Sequence, residues 1–408
     1  MTPPVTALRD LVRAAARHPY FAGKYRDLDL AGDFAFTDVP EMTRDDITAA
    51  TEQIVAATDR ATGAFLFTSG GSTAEPKIAW IPCEMHLGAL LPHWQPLTHR
   101  DVLANLAMPG RLWSAHYCYN RVAEHAGADV IGLGNIGDDE LGRWLDFLVR
   151  HRTTAVAGTP SQLLKILRYA ERTGHPIATR LRAALWFGEP VDAELLDLRD
   201  RCAPHLELWG NYGSTETWVI GTNGPGCPVD TFHVLPYQHV EVVDGHVLVS
   251  TLHPGAVSPV IRYRIGDRAA FTDCACGRPA ALRLGGREGA LVKFAGTLVD
   301  PQDLVAVARA VPGVRAAQVA LIAGAGGEAM EVRVVGTGVS APALRERLLA
   351  SHIDLGFGLR GEDDTFRVRL VDRLATSAQT AKTPALVRES AAAAPVRESG
   401  AAALVGEP

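Results

Sequence analysis

Lysine is scarce in this 408-residue chain: only Lys24, Lys77, Lys165, Lys293 and Lys382 stand among forty Lys+Arg residues. Arginine supplies the remaining basic charge, so each lysine stands out as a compact point charge suited to phosphate. Positive charge is not in excess, since forty basic and forty-six acidic residues leave a net charge of −6. That balance offers no electrostatic footprint for nucleic acid or an anionic membrane. Nor is there a run of about eighteen apolar residues that could span a bilayer. Arg9, Asp10, Arg13 and Arg17 deny the first residues the apolar stretch of a signal peptide, so a cytoplasmic location is expected. Six cysteines are few and unevenly spaced, unlike the framework of a small secreted domain, and metal ligation or plain burial is the expectation for them.

Apolar residues make up 47% and charged residues 21%, enough to bury a core, and the length predicts about two to three domains. Leu8, Leu11, Val12, Ala15 and Ala16 recur at helical spacing. Strand-like runs at 129–133, 154–157, 183–187 and 206–209 alternate with helical stretches at 138–150 and 160–173, which predicts a layered α/β domain. Short β-like runs between His239 and Arg283 predict a β-rich subdomain. Beyond it, runs near 291–294, 302–310, 316–322, 330–335, 341–352 and 366–371 predict a small α+β unit of βαββαβ type. The expected division is a large domain over 1–287, a small C-terminal domain over 288–388, and a disordered tail over 389–408, where Val-Arg-Glu-Ser repeats among alanines.

The strand Phe65-Leu66-Phe67 runs into Thr68-Ser69-Gly70-Gly71-Ser72-Thr73-Ala74-Glu75-Pro76-Lys77. Paired glycines allow close backbone approach, successive N–H groups can form an anion nest, the hydroxyls add donors, and Lys77 adds charge. Such a loop can cradle a polyphosphate, although its spacing is not that of the P-loop, and a plain hairpin remains the alternative. Ser69 to Lys77 resembles the phosphate loop of the adenylate-forming superfamily, which includes acyl-CoA synthetases, nonribosomal-peptide adenylation domains and luciferases. Phe187-Gly188-Glu189-Pro190, Asn211-Tyr212-Gly213-Ser214-Thr215-Glu216, Tyr263-Arg264-Ile265-Gly266-Asp267 and Gly286-Arg287-Glu288-Gly289, followed by Lys293, resemble further motifs in the family's order. His18-Pro19-Tyr20-Phe21 and Asp300-Pro301-Gln302 are similar to the phenylacetate-CoA ligase branch.

That resemblance implies ATP and Mg²⁺ as cofactors, with Ser69, Gly70, Gly71, Ser72, Thr73 and Lys77 around phosphate. Gly188, Glu189, Pro190, Asn211, Tyr212 and Gly213 would lie about adenine, and Asp267 and Arg287 on the ribose. Thr215 would meet the α-phosphate and Glu216 would hold Mg²⁺, a hard carboxylate for a hard cation. Lys382 occupies the place of the superfamily's adenylation lysine, where a fixed ammonium stabilises charge developing in nucleotidyl transfer. The resemblance also implies that the small domain is mobile between half-reactions, and that a homodimer is common in this branch. Ala74, Gly289 and Ala381 depart from the family pattern.

Cys227 and His233, with Cys274 and Cys276, offer three thiols and an imidazole, the donor set of a closed structural Zn²⁺ site; buried reduced cysteines are the alternative. An aromatic neighbourhood of Trp113, His116, Tyr117, Phe187 and Trp209 suits an aromatic or small cyclic acid, with His116 placed to meet its carboxylate. The expected function is adenylation of a carboxylic acid with release of pyrophosphate, then transfer to a thiol, foremost coenzyme A. An amine, a carrier-protein thiol or an unusual nitrogen nucleophile is the alternative acceptor, and a non-catalytic nucleotide-binding protein is the alternative of another class.

Overall fold

In the computed structural model the chain divides into two compact units, Met1–Gly289 with Thr376–Thr383, and Ala290–Ala375 with Pro384–Pro408. The described residues are 5–57, 62–68, 78–110, 112–191, 193–257, 260–287, 292–294, 297–324, 327–352, 355, 359, 365–377 and 382–390. The segments 69–77, 288–291 and 391–408, which carry the phosphate loop, Gly289 and all of the expected tail but its first two residues, lie outside them, as does Ala381; Glu389 and Ser390, expected in a disordered tail, instead end a paired strand. Among the described residues no helix is long and apolar enough to cross a membrane.

The first unit begins its β structure with a hairpin, β1 (Ala64–Thr68) paired antiparallel to β2 (Ile78–Pro82). A second sheet then takes β3 (Val102–Asn105), β4 (Asp129–Gly132), β5 (Ala155–Gly158), β6 (Ala183–Phe187) and β7 (Glu207–Ser214). It continues through β8 (Trp218–Thr222), β9 (Thr231–Val234), β10 (Gln238–Val243), β11 (His246–Thr251), β12 (Tyr263–Thr272) and β13 (Ala281–Arg287). The strand order is β10-β11-β12-β13-β9-β8-β7-β6-β5-β3-β4.

From β4 to β7 all pairs are parallel, joined through helices Ala115–Ala126, Leu141–Arg150, Pro160–Thr173 and Ala193–Cys202. Both faces of the interior strands β5 and β6 are covered, which is why they read as unbroken apolar runs and are buried throughout, whereas the edge strand β4 is largely exposed. Alternate residues serve different cores: Ala183, Leu185 and Phe187 join one cluster, while Ala184 and Trp186 join the other. From β7 onward the pairing turns antiparallel, so the β-rich segment from His239 to Arg283 extends the same sheet.

Local chemistry sets the helix that opens at the end of β5. Thr159 and Gln162 form a reciprocal capping box, Pro160 occupies the first turn, and Gly174 closes the helix in the left-handed conformation. Ser161 is thereby fixed at a helix N-terminus beside the carboxyl ends of the parallel strands, where open α/β sheets bind ligands.

The second unit has a hairpin of β14 (Val292–Phe294) and β15 (Thr297–Val299), then a helix Pro301–Arg309 capped by Asp300. Its sheet pairs β16 (Val314–Gly324) with β17 (Gly327–Gly336) antiparallel, and adds β18 (Phe366–Leu370) and β19 (Leu386–Ser390) in parallel outside them. Ser340 caps the helix Ala341–Ser351. Fully buried Gln318 ties together the two stems from which the segment 376–383 departs and returns: its amide donates to the carbonyls of Ala375 (2.9 Å) and Pro384 (2.8 Å) and accepts from Ala375 N–H (3.0 Å).

Candidate active site

The site gathers at the carboxyl ends of β6 and β7 in the first unit. The hairpin register Thr68↔Ile78 brings together the two ends of segment 69–77, and Thr68 N–H donates to the carbonyl of Leu112 at 2.9 Å. Ser69, Gly70, Gly71, Ser72, Thr73 and Lys77 themselves lie outside the described residues.

Beyond β6 the chain turns at Gly188, whose φ of 77° is left-handed. A Cβ there would stand 2.5 Å from both Cε and Nζ of Lys382, so the absence of a side chain is what lets the lysine cross the turn. Glu189, the next residue, accepts hydrogen bonds from Ser161 N–H (3.0 Å), Ser161 Oγ (2.7 Å) and Thr383 N–H (2.8 Å). Burial pushes its carboxyl pKa up, against the opposing pull of these donors and of Lys382. Lys382 is further set by its own carbonyl, which accepts from Ser377 N–H at 2.7 Å.

Two tyrosines orient the acidic groups singled out by motif. Tyr212, buried against Phe232, donates to Asp267 Oδ2 at 2.9 Å, and Tyr263 donates to Glu216 Oε1 at 2.7 Å. Asp267 stands directly across the β12–β13 pair from Arg287; the side chain of Arg287 lies outside the described atoms. Gly213 is obligatory where it stands, because a Cβ would meet the carbonyl oxygen of Trp218 at 2.2 Å. Glu216 is buried in the turn between β7 and β8, with half-buried Thr215 before it, and it lines a small cavity with His86, Thr217 and Trp218.

The aromatic side chains fall into groups. Phe187 stacks on Tyr119 (4.7 Å, 25°) and meets Trp113 at 5.9 Å, and Asn211 donates to the Tyr119 hydroxyl at 2.6 Å. Tyr117 packs instead with Phe65 and Phe67, the latter stacked on Trp218. Trp209 lies opposite Leu185, its indole against Gly224 and its N–H donating to Glu207 at 3.1 Å. His116 has Nδ1 2.7 Å from the Ala107 carbonyl, and a Cβ on Gly132 would meet its other nitrogen at 3.7 Å. Ser161 and Thr383 are not singled out as site residues by sequence, and Tyr263 enters there only as the first residue of its motif; the capping pattern Thr159-Pro160-x-Gln162 straight after a strand is the one local signal for Ser161.

Apart from this, the turn joining β12 to β13 folds back on β9. It places Cys276 Sγ 3.2 Å from His233 Nε2, while Cys227, in the segment leading into β9, has its Sγ 3.7 Å from the same nitrogen, and all four donor atoms, Cys274 included, lie within 4.8 Å of one another. His233 Nδ1 faces the Pro279 carbonyl at 2.8 Å, which aims Nε2 at the thiols as a metal-ligating imidazole is usually aimed. Burial raises the Cys274 thiol, to about 11; at Cys276 the burial effect is overcome by hydrogen bonds from Arg278, bringing it down to about 6.

A parallel sheet extended by antiparallel strands carries Lys382 over the turn after β6 and Thr215-Glu216 in the turn after β7, and the chain is of the adenylate-forming class. A family model described as AMP-binding enzyme matches residues 20–257, and the chain belongs to that family. It is similar to a 2-hydroxyisobutyryl-CoA ligase in the postadenylation state, with TM-score 0.70 and 15% identity, covering 94% of this chain and 88% of that one. It is also similar to the amide bond synthetase McbA from Marinactinospora thermotolerans, with TM-score 0.55 and 19% identity over 78% and 67% of the two chains. Indoleacetate–lysine synthetase from Pseudomonas savastanoi is 22% identical over 242 residues, 58% of this chain and 60% of that protein's length. The chain therefore matches about three fifths of this curated relative.

Proposed function

We propose that the chain is an ATP-dependent ligase that adenylates a carboxylic acid and passes the acyl group to a nucleophile. The observation that carries this is Lys382 lying across Gly188 with its neighbour Thr383 anchored on Glu189. In the first half-reaction the substrate carboxylate attacks the α-phosphorus of ATP, pyrophosphate leaves, and an acyl-adenylate forms. Lys382 would neutralise charge growing on the attacking and α-phosphoryl oxygens, and Thr215 would donate to the α-phosphate. The opposed pair Asp267 and Arg287 would take the ribose hydroxyls, with Tyr212 orienting the aspartate. Glu216, steadied by Tyr263, would hold Mg²⁺, which supplies charge neutralisation for the triphosphate.

The acid would be aromatic or small and cyclic, received beside Trp113, Phe187 and Tyr119, which Asn211 links to the nucleotide segment. Coenzyme A is the foremost acceptor, in keeping with the phenylacetate-CoA ligase-like motifs and with the coenzyme-A-bound form of the 2-hydroxyisobutyryl-CoA ligase neighbour. An amine acceptor is the second reading, favoured by the similarity to an indoleacetate–lysine synthetase and an amide bond synthetase. Cys227, His233, Cys274 and Cys276 would hold a structural Zn²⁺, since three thiols and one imidazole leave no open position.

The test is ATP–pyrophosphate exchange over a panel of aromatic and small aliphatic acids without acceptor, with Lys382→Ala in parallel. Exchange that needs one acid and falls at least about 100-fold in the variant supports the reading. Exchange that survives the substitution refutes the role of Lys382, and ATP binding without exchange for any acid supports a nucleotide-binding protein instead. Coenzyme A, lysine and other amines are then supplied to separate the acceptors.

A further inference from the structure

The turn after β2 and the loop after β11 bring Glu84, His86 and His253 together, and the adenylation chemistry proposed above uses none of them. One donor atom from each lies within 4.8 Å of the other two. His86 is 2% exposed, and its Nδ1 is wholly buried with no hydrogen-bond partner among the described residues. Native interiors rarely leave such a group unmatched. That nitrogen stands 3.1 Å from Glu84 Oε1, a distance at which a protonated ring would pair with the carboxylate. With Nδ1 unprotonated, the two acceptors match an edge of a coordination shell: ligands about 2.1 Å from a tetrahedral ion stand about 3.4 Å apart.

The backbone is committed to this arrangement. Met85 and His86 adopt φ values of 56° and 54°, two consecutive non-glycine residues in the left-handed region, where strain persists only if the surroundings enforce it. Trp218 holds the turn by donating its indole N–H to the Met85 carbonyl at 2.8 Å. The His86 and His253 rings lie 3.9 Å apart between centroids, and Gly255 N–H donates to His253 Nδ1 at 3.0 Å. Turning His253 onto an ion would release that one neutral hydrogen bond, a small loss beside coordination of a divalent metal. Exposed Glu84 and half-buried His253 can close on buried His86, and the Glu84 side gives an ion its way in.

We propose that Glu84, His86 and His253 bind a divalent first-row transition ion of the zinc type. Two imidazoles and one carboxylate suit that chemistry, whereas magnesium and calcium take oxygen shells. The ion would fasten the return strand of the hairpin that brackets residues 69–77 to the loop following β11. The site shares no residue with the cysteine cluster.

The test uses full-length protein stripped with chelator and titrated with Zn²⁺, bound metal being counted by elemental analysis and affinity read by calorimetry. Cys276→Ser disables the cysteine cluster, and in that background one equivalent of Zn²⁺ should remain. Adding His253→Ala or Glu84→Gln should weaken its binding by more than about 100-fold, with circular dichroism and melting temperature showing an intact fold. Retained affinity in both double variants overturns the proposal, as does the absence of the equivalent from folded Cys276→Ser protein. Should Cys276→Ser fail to fold, the same loss is read as a difference of one equivalent between wild type and the His253→Ala and Glu84→Gln single variants; equal stoichiometry then overturns it. His86 is left intact because replacing a fully buried ring risks the fold itself.

Discussion

Glu189→Gln isolates the anchor that holds the lysine segment on the first unit. The carboxylate accepts three donors, two from Ser161 on one oxygen and Thr383 N–H on the other. An amide of the same shape must aim its NH₂ at one of those sets, so a donor faces a donor on at least one side. Hydrogen bonds to charged groups contribute about 1.5–3 kcal/mol, and losing the Thr383 bond should free Lys382 to leave Gly188, lowering ATP–pyrophosphate exchange by about 10- to 100-fold. Consumption of a supplied acyl-adenylate by the acceptor should stay within about threefold, because that step does not require the lysine beside the α-phosphate. Acidity gives a second readout. Burial raises the Glu189 pKa, and the ionised form is the one that anchors Thr383, so wild-type exchange should fall as the pH drops through that raised value. The glutamine variant should lack this descent. Exchange in Glu189→Gln within about twofold of wild type, in a protein that melts normally, would refute the anchor.

Gly188→Ala adds a methyl 2.5 Å from Lys382 Cε and Nζ at a left-handed turn; exchange should fall at least about tenfold while the melting temperature drops by a few degrees, the strain being about 1 kcal/mol. Acid should weaken the first unit through Asp101, where burial alone would raise the carboxyl but Arg182, Thr154 and Thr98 hold it down from 3.8 to about 2. A depressed pKa stabilises the fold above about pH 4 and loses that contribution, about 2 kcal/mol, as the pH falls toward 2. In Asp101→Asn, denaturant melts should lose this part of the pH dependence; an unchanged profile would refute it. If the cysteine cluster holds Zn²⁺ as proposed, chelation or Cys276→Ser should remove it and lower the melting temperature by at least about 5 °C, as read by calorimetry with metal analysis.

The chemistry legible in the sequence is the chemistry written contiguously. Gly188-Glu189-Pro190 and Asn211 to Glu216 are each contiguous, so their resemblance to the family's motifs can be read before any fold is known. Their partners are another matter. Glu189 meets Thr383 across 194 positions, Tyr263 meets Glu216 across 47, and Tyr212 meets Asp267 across 55; no local periodicity records such a pairing. The strands divide the same way. Continuous apolar runs announced β5 and β6, because a strand covered on both faces has no polar positions to alternate. Four-residue β3 escaped notice behind Arg100 and Asp101, and β19 carries Arg388 and Glu389 before its last residue, polar because it is an edge where Glu389 binds Arg333. Short β-like runs after His239 showed strands but not their destination, since the sheet a strand joins is decided by its neighbours. His86 shows the same limit: as a lone histidine near Glu84 it means little in the sequence, and it becomes informative only once the loop after β11 delivers His253 to a buried ring whose Nδ1 has no hydrogen-bond partner among the described residues.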